Sequence, residues 1–167
     1  HKALDSVISI IKEGKSVALV SDAGTPGISD PGFLLVREAT LQGIEVECLP
    51  GATALIPALA VSGLPSDRFC FEGFLPVKKG RNTRLNELKF ETRTMVFYES
   101  PFRVVKTLTQ LAESLGEERQ ASASREISKL HEETIRGTLT ELIAHFTLHE
   151  PRGEFVLVVA GKSKKDV

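Results

Sequence analysis

A chain of 167 residues, 41% apolar and 26% charged, has the size and composition of one ordinary soluble domain or two small ones. Its net charge of −1 argues against a protein that coats nucleic acid or membrane with its whole surface, while leaving room for a local basic patch. No apolar run reaches the roughly 18 residues of a membrane span, no signal-peptide pattern opens the chain, and Cys48 and Cys70 sit in apolar runs as buried free thiols of a reducing cytoplasm would.

In chain order, the apolar positions Leu4, Val7, Ile8 and Ile11 recur with helical spacing, so a helix is expected over 2–13. A strand over 16–21, the loop SDAGTPGISDPG (21–32), a helix over 32–42 and a stop at Gly43 follow. Next come a strand over 44–49, the loop LPGAT and a helix over 53–62. This alternation implies βαβ units and a parallel sheet. Two parallel strands cannot cover both their faces alone, so further strands are expected from a segment ahead of His1, where the chain starts without Met.

SGLPSDRF (62–69) reads as a linker. Beyond it are expected a strand over 69–74, a basic helix over 80–91, a strand over 94–98, a helix over 101–115, strands over 120–126 and 132–137, a helix over 138–146 and a strand over 154–160. Consecutive strands across 120–137 call for antiparallel or mixed pairing. The expected division is an incomplete α/β lobe (1–66), an α+β lobe with a mixed sheet (67–161) and a flexible tail (162–167).

Common phosphate and nucleophile signatures fail. Gly-Lys-Ser occurs at 14–16 and 161–163, but a P-loop needs glycine where Ser9 and Val156 stand. Pro31 occupies the place of the second glycine of a nucleophile elbow, so Ser29 is no hydrolase serine. His145 and His149 fall one helical turn apart without a third ligand, and no metal is expected.

In open α/β sheets, ligands sit outside the carboxyl ends of the strands. Two successive strand ends here carry Gly/Pro-rich loops, DAGTPGISDPG and PGAT. Neither holds a basic residue, which argues against a pyrophosphate. Asp22 and Asp30 instead suit a ribose hydroxyl, an ammonium or a sulfonium. Residue chemistry thus reaches a small, cationic, nucleoside-like ligand, a description that S-adenosylmethionine fits.

SDAGTPGISDPG, then LPGATALIPALAVSGLPSDRFCFEGFLP, YESPFR, SREISKLHEE and RGEFVLVVAG, resemble in order the tetrapyrrole-methylase-like superfamily. Within it they resemble the branch of 16S rRNA cytidine-2′-O-methyltransferases of the small subunit; Ser21-Asp22-Ala23 stands where the cobalamin and sirohaem enzymes have a GDP-type loop. The resemblance implies a bilobal, usually homodimeric enzyme of the cytoplasm, with S-adenosylmethionine between two α/β lobes. It also implies a glycine-containing strand-loop ahead of this chain. Carried over residue by residue, it places the cofactor at Asp22, Ala23, Gly24, Thr25, Ile28 and Ser29, with Thr53, Ala54, Leu75, Pro76 and Phe155 as further contacts. Tyr98, Glu99 and Ser100 would line the cleft, and Phe102 stands where the branch commonly has histidine.

Methylating a ribose hydroxyl requires in-line alignment and removal of the hydroxyl proton. A base or a lysine-stabilised alkoxide would serve the second task, with Asp30, Glu99, Lys129 and Glu133 as candidates. The stretch KKGRNTRLNELKFETR (78–93) carries six basic residues against two acidic ones. Lys78, Lys79, Arg81 and Arg84, with Arg125, are the expected RNA contacts. The partner would then be the small ribosomal subunit or its rRNA, with no DNA and no membrane. Two other readings compete: C-methylation of a tetrapyrrole precursor, and a non-catalytic fragment that dimerises or binds RNA.

Overall fold

The unbroken apolar run FVLVV is the pattern of a strand buried on both faces. The computed structural model, which describes residues 2–163, places it as β5 (Phe155–Val159) at the middle of a five-stranded sheet. The other strands are β1 (Phe69–Phe74), β2 (Thr94–Glu99), β3 (Gln120–Arg125) and β4 (Glu133–Thr138). Their order is β1-β2-β5-β3-β4, with β1 and β2 parallel and every other pair antiparallel. The sheet is mixed, as the consecutive strands required.

Alternation along the strands divides the core. Met95 and Phe97 of β2, with Leu157 and Val159 of β5, share one apolar cluster with residues of α4 (Arg81–Leu88), α5 (Val104–Leu115) and α6 (Leu139–Leu148). Val96, Val156 and Val158 point the other way, onto Leu55, Ala58 and Leu59 of α3 (Leu55–Val61). Each such buried side chain contributes about 1.5–3 kcal/mol of transfer free energy. Local signals set the helix starts. At α6, the Thr138 hydroxyl accepts from the Glu141 amide at 3.1 Å, and the Glu141 carboxylate accepts from the Thr138 amide at 2.7 Å, a capping box.

Backbone contacts separate two compact units, 1–53 and 54–167. The sequence reading set the division near residue 66. α3 instead goes with the sheet, because its apolar side faces β2 and β5. The first unit contains α1 (Lys2–Lys12) and α2 (Gly32–Leu41), with Ile8 and Ala39 buried. Segments 16–21 and 44–49, expected as strands, make no ladder bonds among the described residues. The reason is the one that made the pair suspect: a parallel strand is stable only with neighbours and with both faces covered. Their apolar side chains accordingly stay open, Val20 at 83% and Leu49 at 77% exposure.

Two smaller expectations change with this. Cys48, on that uncovered segment, is exposed, while Cys70 in β1 is half-buried and its thiol is pushed up to about 11, mainly by burial. The helix expected over 101–115 begins as a 3-10 turn, Pro101–Arg103, before α5. Of the tail, Lys162 is tied back by its amide to the Glu91 carbonyl at 2.6 Å, and 164–167 lie outside the described residues.

Candidate functional site

The loop 21–32 is shaped from within. Both amides flanking its sharpest bend, Gly27 and Gly32, donate to Asp30 Oδ1 at 2.7 Å. Gly24 (φ 74°) and Gly27 (φ 84°) take the left-handed conformation that side chains resist, and Ser29 joins them at φ 60°. Thr25 Oγ1 donates to the Ala52 carbonyl at 3.0 Å, so this loop and PGAT, 27 residues on, are brought together as their positions predicted. Asp22 is exposed and makes no ion pair among the described residues. Ala23, Gly24, Ile28 and Ser29 are exposed beside it, while Thr25 and Thr53 are half-buried.

A different construction occupies the carboxyl ends of β1 and β2 in the second unit. Glu99 is 2% exposed, and its carboxylate is fully engaged. It accepts from the Ser100 amide at 2.9 Å, from Thr107 Oγ1 at 2.6 Å and from Arg103 Nη2 at 3.2 Å, with Arg103 Nε 3.1 Å from Oε1. The Thr107 hydroxyl in turn accepts from Arg81 Nη2 at 2.7 Å. The two guanidiniums then reach backbone: Arg103 Nη2 donates to the Leu75 carbonyl at 2.9 Å and Arg81 Nη1 to the Pro76 carbonyl at 3.0 Å. Arg81 Nε completes its fork on Gln110 Oε1 at 2.7 Å. Beside this network lies an open depression of about 580 Å³, lined by Phe71, Glu72, Phe74, Leu75, Pro76, Gly80, Thr83, Arg84 and Glu87.

This geometry redistributes the basic stretch. Arg81, read as an RNA contact, is 5% exposed and donates internally from all three of its side-chain nitrogens. Arg84 forks onto Glu72 Oε2 at 2.6 and 2.8 Å and onto Glu87 Oε2 at 2.7 Å, and Arg93 pairs with Glu91 at 2.7 Å. Lys78 and Lys79, on the turn before α4, are exposed and form no ion pair among the described residues. Arg125 Nε lies 2.8 Å from Glu133 Oε2, close enough for attraction but at an angle too poor for a hydrogen bond.

Lys129 stands in the β3–β4 connection, where Glu126 (φ 48°) and Ser128 (φ 65°) are left-handed without being glycine. Its ammonium sits 2.9 Å from Glu154 Oε2 and 3.0 Å from Glu126 Oε1. Those two bonds, that to Glu154 first, raise the Lys129 pKa, so it stays charged and cannot accept a proton. Phe155, expected against the cofactor, is a core side chain whose ring meets that of Phe146 edge-on at 5.4 Å. His145 and His149 stack on one another at 4.5 Å, with His149 Nδ1 3.0 Å from the His145 carbonyl.

The sequence reading missed Arg103, Thr107 and Gln110. The pair Glu99–Arg103, four residues apart around Pro101, was a visible signal; Thr107 carried none, because its partner Arg81 lies 26 residues away in the chain.

A mixed α/β sheet, with a glycine-shaped loop braced by its own aspartate, defines a class rather than one protein. The profile of the Tetrapyrrole (Corrin/Porphyrin) Methylases matches residues 2–143, and the chain belongs to that family. It is 48% identical over 161 residues to a Thermotoga maritima protein named ribosomal RNA small subunit methyltransferase I, covering 96% of this chain and 72% of the relative. A Synechocystis protein of the same name is 50% identical over 167 residues, covering 99% of this chain and 60% of the relative. The chain therefore spans well under the full length of the relatives it matches. Among solved structures, a diphthine synthase superposes with a TM-score of 0.69 at 16% identity, over 95% of this chain and 65% of that one. Uroporphyrin-III C-methyl transferase from Thermus thermophilus, complexed with S-adenyl homocysteine, gives 0.62 at 18% identity, over 93% and 70%. At such identities these likenesses show the fold.

Proposed function

We propose that the protein is an S-adenosylmethionine-dependent methyltransferase that modifies small-subunit rRNA at the 2′-hydroxyl of a cytidine ribose. The observation that carries this reading is the identity of about half of all residues, over nearly the whole chain, to relatives named small-subunit rRNA methyltransferases. The donor set of the first unit suits the cofactor. Asp22 offers an unpaired, exposed carboxylate to ribose hydroxyls or to the sulfonium, and the left-handed glycines let backbone approach a ligand closely. When bound, S-adenosylmethionine supplies an electrophilic methyl on sulfur. Thr25, tied to Ala52, holds the loop and PGAT together, and Ala23, Ile28 and Ser29 remain open to contact.

Of the four candidates, Glu99 has both oxygens engaged, Glu133 lies 2.8 Å from Arg125 and Lys129 is held charged, which rules it out as a base. Asp30 uses Oδ1 to brace the loop and keeps Oδ2 outside both bonds, so it is our candidate for the oxygen that takes the ribose proton. Of the expected RNA contacts, Lys78 and Lys79 are exposed and make no ion pair among the described residues, so they can meet phosphate and binding should weaken as salt rises. The test uses the full-length protein, labelled cofactor and unmethylated small subunits, followed by nucleoside mass analysis. A 2′-O-methylcytidine product supports the reading. Transfer to a tetrapyrrole precursor instead, with subunits left untouched, overturns it.

A further inference from the structure

Phe102 is 96% exposed, the highest value for a large apolar side chain among the described residues, and its ring meets no other ring or cation among them. A single open apolar side chain is ordinary on a protein surface. This one differs because the backbone on both sides of it is pinned. Ser100 donates its amide to Glu99 Oε1 at 2.9 Å and accepts the Arg103 amide at 3.0 Å, closing the 3-10 turn Pro101–Arg103. Arg103 is held in turn by the Glu99 carboxylate, with Nε 3.1 Å from Oε1, and by the Leu75 carbonyl at 2.9 Å. Val104, the next residue, is fully buried. A braced turn thus holds the ring out in solvent, where it forgoes the gain that burial brings.

The surroundings of the ring are cationic. The bond from Arg103 to Leu75 sets the turn against the connection after β1, which carries Lys78 and Lys79. Lys106 lies four residues beyond Phe102, in the first turn of α5. All three lysines are exposed, and none forms an ion pair among the described residues. The neighbouring carboxylates, by contrast, are occupied. Glu99 is held by Arg103, and Glu154, next to the β5 residue that pairs with Glu99, is held by Lys129. An open aromatic ring on a fixed backbone, among unpaired cations, is the make-up of a surface for single-stranded nucleic acid. Bases stack on the ring and phosphates meet the lysines. A folded protein partner is a poorer match, because the cores of protein interfaces are depleted of lysine.

We infer that Phe102 is a substrate-binding residue: an unpaired base of the small-subunit rRNA stacks on its ring, while Lys78, Lys79 and Lys106 meet the flanking phosphates. The identity of the ligand rests on the rRNA methyltransferase reading; the residues themselves all lie within the second unit. Stacking on a phenyl ring tolerates any base, so the contact holds the strand rather than choosing its sequence.

The experiment compares Phe102→Ala and Phe102→Trp with the parent on full-length protein. Protein-free small-subunit rRNA is the binding probe, and small subunits lacking the modification are the methylation substrate. Phe102→Ala is expected to weaken rRNA binding about tenfold at every salt concentration, because stacking releases no counterions. Its salt slope should match the parent's, whereas Lys106→Ala should lower the slope by about 0.7, one phosphate contact on a single strand. Steady-state kinetics should place the loss in KM for subunits rather than in kcat or in KM for S-adenosylmethionine. Phe102→Trp should restore the affinity. The 167 residues hold no tryptophan, so the emission that Phe102→Trp adds over the parent reports on position 102, and rRNA should quench it. Unchanged rRNA affinity in Phe102→Ala, or unquenched emission in Phe102→Trp, overturns the inference while a parent that methylates subunits keeps the methyltransferase reading. Phe102→Ala sedimenting as a smaller species than its parent also overturns it, making the ring a contact between copies. A parent that binds neither rRNA nor subunits overturns both the inference and the reading on which it rests.

Discussion

The loop 21–32 and the connection 75–80 are both gripped segments, and they are gripped by opposite means. In the first, a single carboxylate, Asp30, gathers its own loop's amides, and glycines supply the bends. In the second, the guanidiniums of Arg81 and Arg103 converge on carbonyls from outside the segment and are themselves held by Thr107 and Glu99. Local bracing costs less stability when lost, because its two half-buried bonds close within a single loop. Remote bracing draws its rigidity from burial, so its loss spreads into the core. The difference explains why the first segment announces itself in sequence as a dense cluster of Gly, Pro and Asp, whereas the second does not.

Breaking that contrast begins with Glu99. Glu99→Ala strips the buried partner from Arg103 and leaves Thr107 and the Ser100 amide short of an acceptor. Because Arg103 retains some solvent access, the loss is set at the lower end of the range for broken buried pairs, about 3 kcal/mol, read by urea unfolding. Asp30→Ala should cost about 1 kcal/mol, since two half-buried amides lose their acceptor, with faster exchange confined to the loop. A loss for Asp30→Ala as large as that for Glu99→Ala would erase the distinction between local and remote bracing.

At the surface, Lys78→Ala with Lys79→Ala should leave unfolding unchanged and lower the salt slope of RNA binding by about 1.4, the equivalent of two phosphate contacts on a single strand. Filter binding over a salt series checks it; the same change at the paired Arg84 should do less. The smallest effect concerns Glu91, whose carboxyl is pulled down to about 2, first by its hydrogen bond with Arg93. A depressed carboxylate contributes stability above its unfolded pKa and loses it as pH falls through the folded one. Any advantage of the parent over Glu91→Gln should therefore be full at neutral pH and fade between about pH 4.5 and about pH 2. A difference that grows with acid contradicts the pairing.

Much of the fold was legible. β1 at 69–74, the β3–β4 succession and a helix close to α6 were read from the sequence, and the Thr138–Glu141 capping box that starts α6 was an available signal that the reading did not use. The central place of β5 was not legible, because strand order depends on pairings across the whole chain. Segments 16–21 and 44–49 have strand composition, but composition does not supply a neighbour. In the site, Asp30 and Thr25 stood out because they act within or between marked loops. Arg81 was misread for a physical reason: a basic residue in a basic stretch looks solvated until its partners at 107 and 110 are known. Phe155 failed similarly, since a residue at a strand end is as often core as cleft.

The central claim is methyl transfer to ribose in small-subunit RNA. Its most direct test is incubation of the full-length protein with methyl-labelled S-adenosylmethionine and small subunits lacking the modification, followed by nucleoside mass analysis. The account predicts one labelled 2′-O-methylcytidine per subunit. Label on a base carbon or on a tetrapyrrole, or no label on RNA from a protein that binds the cofactor, would contradict it.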